Sequence, residues 1–320
     1  MPKLWILRAL LTTTLFAPTC RLDSQTNLLP SLNAEPYNLR VSVDEVSLTF
    51  HAADFHGLPI NDLKLSELAL LDNGQPPRKI LAFQSLQNFP IRAGILIDLS
   101  PSMQETRSSD RAIAIRYAQQ ILRQQTDQAF VMNFDFLSTI AQPWTSDPSA
   151  LTAGIRNRTV TAGNRSRIEG TAIFDTIYRA CLNQFGHIDN AASANFILLF
   201  SDGEENAGHG SLKTAVDTCQ RSHTAIYAFH PQPKPGFSDG LKTLEELASE
   251  SGGRVFYNDG SEVEIEKDLR LIEADLRNQY RLIYKPPALK NDGSFHRIEL
   301  KAPERVDSLT IRSGYYAPFH

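Results

Sequence analysis

The chain has 320 residues, of which 42% are hydrophobic and 21% charged, with a formal net charge of -4. That length and apolar content support one large or two ordinary domains with buried cores and exclude a disordered chain. The mild acidic balance, with no dense block of Lys and Arg, excludes nucleic acid as the partner.

In chain order, residues 1–24 read as a signal peptide or N-terminal anchor. Lys3 and Arg8 flank Trp5-Ile6-Leu7, and the threonine-diluted run 9–17 is too short to span a bilayer. No later stretch reaches spanning length either, so the expected protein is secreted, periplasmic or at the cell surface, with a tether, if any, at its N-terminus. Cys20 invites a lipoprotein reading, but Ala17-Pro18-Thr19 before it departs from the usual leucine and small-residue pattern and argues against lipidation. Residues 25–36 mix Ser, Asn and Pro without periodicity and read as a linker.

From Tyr37 the chain alternates. Leu39, Val41 and Val43, then Val46, Leu48 and Phe50, are spaced as in strands packed on one face. Runs at 68–71 and 79–83 surround the turn Asp72-Asn73-Gly74, so residues 37–91 are expected to be β-rich. Over 92–279, strands at 94–98, 129–134, 139–143, 196–201, 225–229 and 254–257 alternate with helices over 107–124, 148–155, 171–185, 211–221, 240–249 and 263–278. Alternation of this kind, with strands apolar on both faces, implies an α/β fold: a doubly wound, mostly parallel sheet covered by helices. The gap 135–138 is too short for a parallel crossover, so the strand at 139–143 is expected to be an antiparallel edge. Residues 280–320 return to strands and turns. Too small for a core alone, they are expected to pack with 37–91 as one β-sandwich-like module.

The chemistry gathers at the ends of two buried-type strands. Ala93 to Ile97 is an apolar run that stops at Asp98, Ser100 and Ser102, and Phe196 to Phe200 is another that stops before Asp202. In an open α/β sheet, ligands bind at the carboxyl ends of the strands. One carboxylate with two neutral hydroxyls is a hard-oxygen set suited to Mg2+. Each piece alone is ordinary turn chemistry; their order and placement together argue for a site.

Asp98-x-Ser100-x-Ser102, then Thr171, then Asp202 resembles the metal-ion-dependent adhesion site of von Willebrand factor type A domains. The resemblance implies a Rossmann-like fold with Mg2+, or Mn2+ or Ca2+ in its place. The serines and Thr171 would give oxygens directly or through water, Asp202 would act through water, and a carboxylate of a protein partner would complete the shell. The wider layout resembles a secreted bacterial subgroup of von Willebrand A-related proteins known mainly from Acidobacteria. That likeness rests on Asp72-Asn73-Gly74-Gln75-Pro76, the strand 280–284, Phe295-His296-Arg297-Ile298 and Gly314-Tyr315-Tyr316-Ala317.

Arg156, Arg158, Arg165 and Arg167 precede Thr171 and, with Glu204, are expected to rim the site. Arginine forks would favour an acidic ligand; alternatively they pair with Glu105, Glu204 or Glu205 on a solvated loop. Enzyme readings are weaker. A haloacid-dehalogenase-type phosphotransferase needs an acid where Ser100 stands, no Gly-x-Ser-x-Gly elbow or phosphate loop occurs, and His187, His209, His223 and His230 lack metal spacing. The expected function is therefore extracytoplasmic, metal-dependent protein binding. The alternatives are a scaffold whose metal stiffens loops and, third, a metal-dependent hydrolase. Cys181 and Cys219 fall in helices flanking the strand at 196–201, and both a disulfide and two buried thiols fit that placement.

Overall fold

The computed structural model describes residues 45–157, 170–186, 193–231, 238–257, 261–287 and 292–317. The expected signal, linker and strand around Val41, together with Cys20, Arg158, Arg165, Arg167 and His187, lie outside the described residues.

Three strands come first: β1 (Val46–Ala53), β2 (Ala69–Asp72) and β3 (Lys79–Gln87). Then β4 (Ile91–Asp98), α1 (Arg107–Gln120), β5 (Gln128–Phe134), β6 (Ser138–Thr145), α2 (Pro148–Arg156), α3 (Ile173–Arg179), β7 (Ala194–Phe200) and α4 (Leu212–Arg221) alternate. Alternation continues through β8 (Thr224–His230), α5 (Asp239–Ser251), β9 (Val255–Tyr257) and α6 (Glu262–Arg277). The chain closes with β10 (Asn278–Lys285), β11 (Phe295–Lys301), β12 (Ser308–Ile311) and β13 (Gly314–Tyr316).

Among the described residues the central sheet has six strands, in the order β6-β5-β4-β7-β8-β9. Its pairs are parallel except β5 with β6, the antiparallel edge that the short connection requires. Alternate residues of each strand feed two separate cores. Ile95, Phe196 and Leu198 meet α1, α2 and α6 through Tyr117, Leu151 and Leu269. Leu96, Ile197 and Leu199 meet α3, α4 and α5 through Ile177, Val216 and Leu244. Gly94 leaves the space that the Phe130 ring fills. Helix starts follow the side-chain caps of Asp147, Ser211, Ser238 and Ser261, each accepting a backbone N–H of the first turn.

The helix expected over 171–185 differs in detail. It begins at Ile173, leaving Thr171 on the preceding loop, and after Arg179 it widens into a π-helical segment, Ala180–Phe185. In that register Phe185 packs edge-on to Phe130 and Trp144, with ring centroids 5.6 and 5.4 Å apart. Cys181, at the start of that segment, is disulfide-bonded to Cys219 of α4.

The terminal strands form two antiparallel sheets, β12-β1-β10-β3 and β13-β11-β2, around a third core holding Leu48, Phe50, Tyr280 and Tyr284. This is the sandwich-like module expected from the two ends of the chain. The quoted terminal motifs meet inside it. Asp72, fully buried, accepts the Tyr284 and Tyr315 hydroxyls at 2.9 and 2.8 Å and lies 2.8 Å from His296 Nδ1. Among the described residues, no helix is long and apolar enough to cross a membrane.

Candidate metal centre

Asp98 ends β4 at the carboxyl edge of the central sheet and is only 1% exposed. One carboxylate oxygen accepts the Ser100 backbone N–H at 2.8 Å and the other accepts the Ser201 hydroxyl at 2.7 Å. Among the described residues no Lys or Arg pairs with it. Burial therefore pushes its pKa up to about 6, against the lowering effect of the Ser100 and Ser201 hydrogen bonds and with a further push from the charge of Asp202.

The loop after Asp98 turns the two serines together, with their hydroxyl oxygens 3.0 Å apart; Ser100 is buried and Ser102 exposed. Arg107 of α1 fixes this loop by donating to the Leu99 and Ser100 carbonyls, each at 2.9 Å. Thr171 is clamped from the opposite side. Its N–H donates to Asn206 Oδ1 at 2.7 Å, and its carbonyl accepts the Asn206 and Ala207 N–H groups at 3.1 Å. Ser100, Ser102, Gly170, Thr171 and Asn206 line one cleft of about 280 Å3.

Asp202 follows β7 and accepts the Glu204 N–H at 3.1 Å. Gly203 allows the turn beyond it: its φ is +85°, and a Cβ there would overlap the Gly240 carbonyl oxygen. Glu204 is exposed, whereas Glu205 accepts the Phe174 N–H of α3 at 3.0 Å and the Gly208 N–H at 2.7 Å. Glu205 thus serves as a brace between the loop after β7 and the first turn of α3. Arg156 is exposed at the end of α2 and forms no ion pair among the described residues.

Ser100, Ser102 and Thr171 therefore border one space, whereas Asp98 and Asp202 are not among the residues that line it; Asp98 feels the charge of Asp202. Among the described residues no group of three or more His, Cys, Asp or Glu could hold a metal ion; hydroxyls with two carboxylates are an oxygen set whose chemistry fits a hard cation. Sequence reasoning missed Ser201, Asn206 and Arg107. Ser201 and Asn206 stand beside Asp202 in Ser201-Asp202-Gly203-Glu204-Glu205-Asn206, a polar run denser than a turn needs.

No protein-family model matches the chain, and no curated protein matches it. Several solved structures are similar to it. BatB, a conserved hypothetical protein from Bacteroides thetaiotaomicron, is 16% identical over 57% of this chain and 97% of its own, with a TM-score of 0.45. The von Willebrand factor domain of Mfa5, the type V pili tip protein of Porphyromonas gingivalis, is 13% identical over 58% of this chain and 95% of its own, at a TM-score of 0.46. Proximal thread matrix protein 1 of the mussel byssus, in a structure with a zinc-occupied MIDAS motif, is 18% identical over 65% of this chain and 50% of its own, at 0.46.

Proposed function

We propose that the chain is an extracytoplasmic, protein-binding module of von Willebrand A type, with its α/β domain over residues 92–279 and its β-rich ends over 37–91 and 280–320. In this reading Asp98, Ser100, Ser102, Thr171 and Asp202 hold a divalent cation, Mg2+ by the hardness of the oxygens, with Mn2+ or Ca2+ as alternatives. The observation that carries it is the cleft that Ser100, Ser102 and Thr171 share, together with the buried Asp98 carboxylate, which has no Lys or Arg partner among the described residues. With no more than two carboxylates in the set, the site is neutralised at most and not made anionic, so the ion stays electrophilic and favours an anionic ligand from the partner. Arg156, with Arg158, Arg165 and Arg167, would add cationic charge at the rim and raise the local concentration of acidic partners. The Cys181–Cys219 disulfide favours an oxidising compartment.

The test is capture from the native cell surface on immobilised full-length chain, in Mg2+ and then in chelator. Release by chelator, and no capture by Asp98→Asn, is the expected result. Metal that raises the melting temperature while capture ignores chelator assigns the scaffold role instead, and metal-dependent turnover of generic esters assigns the hydrolase.

A further inference from the structure

The cleft at the site is lined by Ser100, Pro101, Ser102, Gly170, Thr171 and Asn206. Three of these bring hydroxyls, which the reading above assigns to the cation. Asn206 is the member of the set whose side chain carries N–H donors. Chemistry fixes which way its amide lies: Oδ1 accepts the Thr171 N–H at 2.7 Å, and an N–H can be met only at the oxygen end. The two hydrogens on Nδ2 are left over, and among the described residues no acceptor meets them. Gly170 makes the room for this arrangement, since a Cβ there would lie 2.8 Å from Asn206 Oδ1 and 2.5 Å from the Ala207 Cβ. The backbone is tied as well. The N–H groups of Asn206 and Ala207 donate to the Thr171 carbonyl at 3.1 Å, and Glu205 next to them is held by the N–H groups of Phe174 and Gly208. Thr171 is buried and Asn206 exposed, so the amide stands where a ligand from solvent would meet it.

A donor anchored in this way costs little to order when a ligand arrives. A carboxylate that gives one oxygen to a metal keeps a second, and taking that oxygen out of water without a donor is unfavourable. The geometry points to Asn206 as the residue that selects a carboxylate: its Nδ2 donates to the oxygen of the partner's acidic side chain that is not on the metal. This inference rests on the metal-dependent reading above and adds to it the residue that distinguishes a two-oxygen ligand from a single-atom anion. Arg156, by contrast, is not among the residues that line the cleft.

The experiment loads the metal-stripped full chain with Mn2+, reads the bound ion by electron paramagnetic resonance, and titrates acetate and fluoride in turn at matched ionic strength. Both are monoanions, but only acetate brings a second oxygen. Asn206→Asp keeps an oxygen for the Thr171 N–H and loses the donor. Mn2+ is expected to stay bound to it, and acetate to weaken about tenfold more than fluoride, the worth of one hydrogen bond to a charged group. Asn206→Ala, which adds no charge, is expected to move the acetate-to-fluoride ratio the same way, even where the ion itself is held less tightly. A residue that only props up Thr171 would weaken Mn2+ in Asn206→Ala and leave that ratio untouched in both variants. An unchanged ratio, or loss of Mn2+ by Asn206→Asp, overturns the inference and leaves the metal-dependent reading in place. Mn2+ that binds the parent chain no better than Asp98→Asn overturns both.

Discussion

Burial of Asp98 disfavours its ionised form, and the hydrogen bonds from Ser100 and Ser201 offset only part of that penalty. Asp98→Asn keeps the shape and removes the charge. The metal-free variant is expected to melt at or above the parent temperature yet show none of the Mg2+-induced rise; calorimetry with and without Mg2+ checks both. His223 titrates in the other direction. Desolvation by the packed atoms around its ring, then the charges of Arg312 and Arg281, lower its pKa from 6.5 to about 4 although the residue keeps an exposed surface, with Glu45 and Asp217 lining the adjoining recess. Between those values the unfolded chain binds the proton that the folded chain refuses, so this contribution is fully present above about pH 6.5 and is lost as pH falls towards 4. His223→Asn, which tolerates the φ of +50° there, is expected to flatten that acid limb in urea midpoints measured from pH 7 to pH 4. At this scale Asp98, Ser100, Ser102 and Asp202 stand out in the sequence because they end apolar runs at strand tips, and Thr171 because it precedes a helical pattern. Ser201, Asn206 and Glu205 do not, since each acts on a residue distant in sequence: Asp98, Thr171 and Phe174.

Among the elements, the turns that carry the site depend on a close approach of two backbones. Gly203 faces the Gly240 carbonyl, and Gly240 in turn faces the Asp202 carbonyl, with no room for a Cβ at either position. Gly203→Ala is expected to cost about 1–3 kcal/mol through its left-handed φ alone and to weaken Mg2+ binding while leaving far-UV dichroism intact. The disulfide joins the π-helical segment to α4 across a sequence separation of 38 residues. On chain-entropy grounds a loop of that size is worth about 4 kcal/mol, so the double variant Cys181→Ala, Cys219→Ala should unfold at clearly lower denaturant. Sequence periodicity placed the six helices and the antiparallel edge but not the π-helical widening, whose register answers to Phe130 and Trp144 rather than to local propensity. It also gave no sign of which way the polar side of β1 faces. Alternation reads the same whether Ser47 and Thr49 look out on solvent or into an enclosed cavity.

Across the whole molecule, the α/β layer and the lower sheet, β12-β1-β10-β3, are joined without a loop, since α6 ends at Arg277 and β10 begins at Asn278. Arg277 fastens that junction from inside. Its guanidinium donates to Asp127 at 2.7 Å and to the Ile121 carbonyl at 2.8 Å, and Asp127 also accepts the N–H groups of Ile91 and Arg123 at 2.9 Å. Arg277→Met leaves Asp127 buried without its partner, at an expected cost of about 3–5 kcal/mol, and urea unfolding is expected to remain one transition by dichroism and by fluorescence. The lower sheet also has a consequence for biogenesis. No two of β1, β2 and β3 pair with each other among the described residues; β1 and β3 wait for β10, and β2 for β11. The Tyr280 hydroxyl bonds to the Ile60 carbonyl across 220 residues. A chain emerging from the ribosome or a translocation pore therefore exposes three unsatisfied strand edges until almost all of it has appeared. Such edges recruit other chains, so the yield of folded protein is expected to fall unless something shields its first strands during that interval.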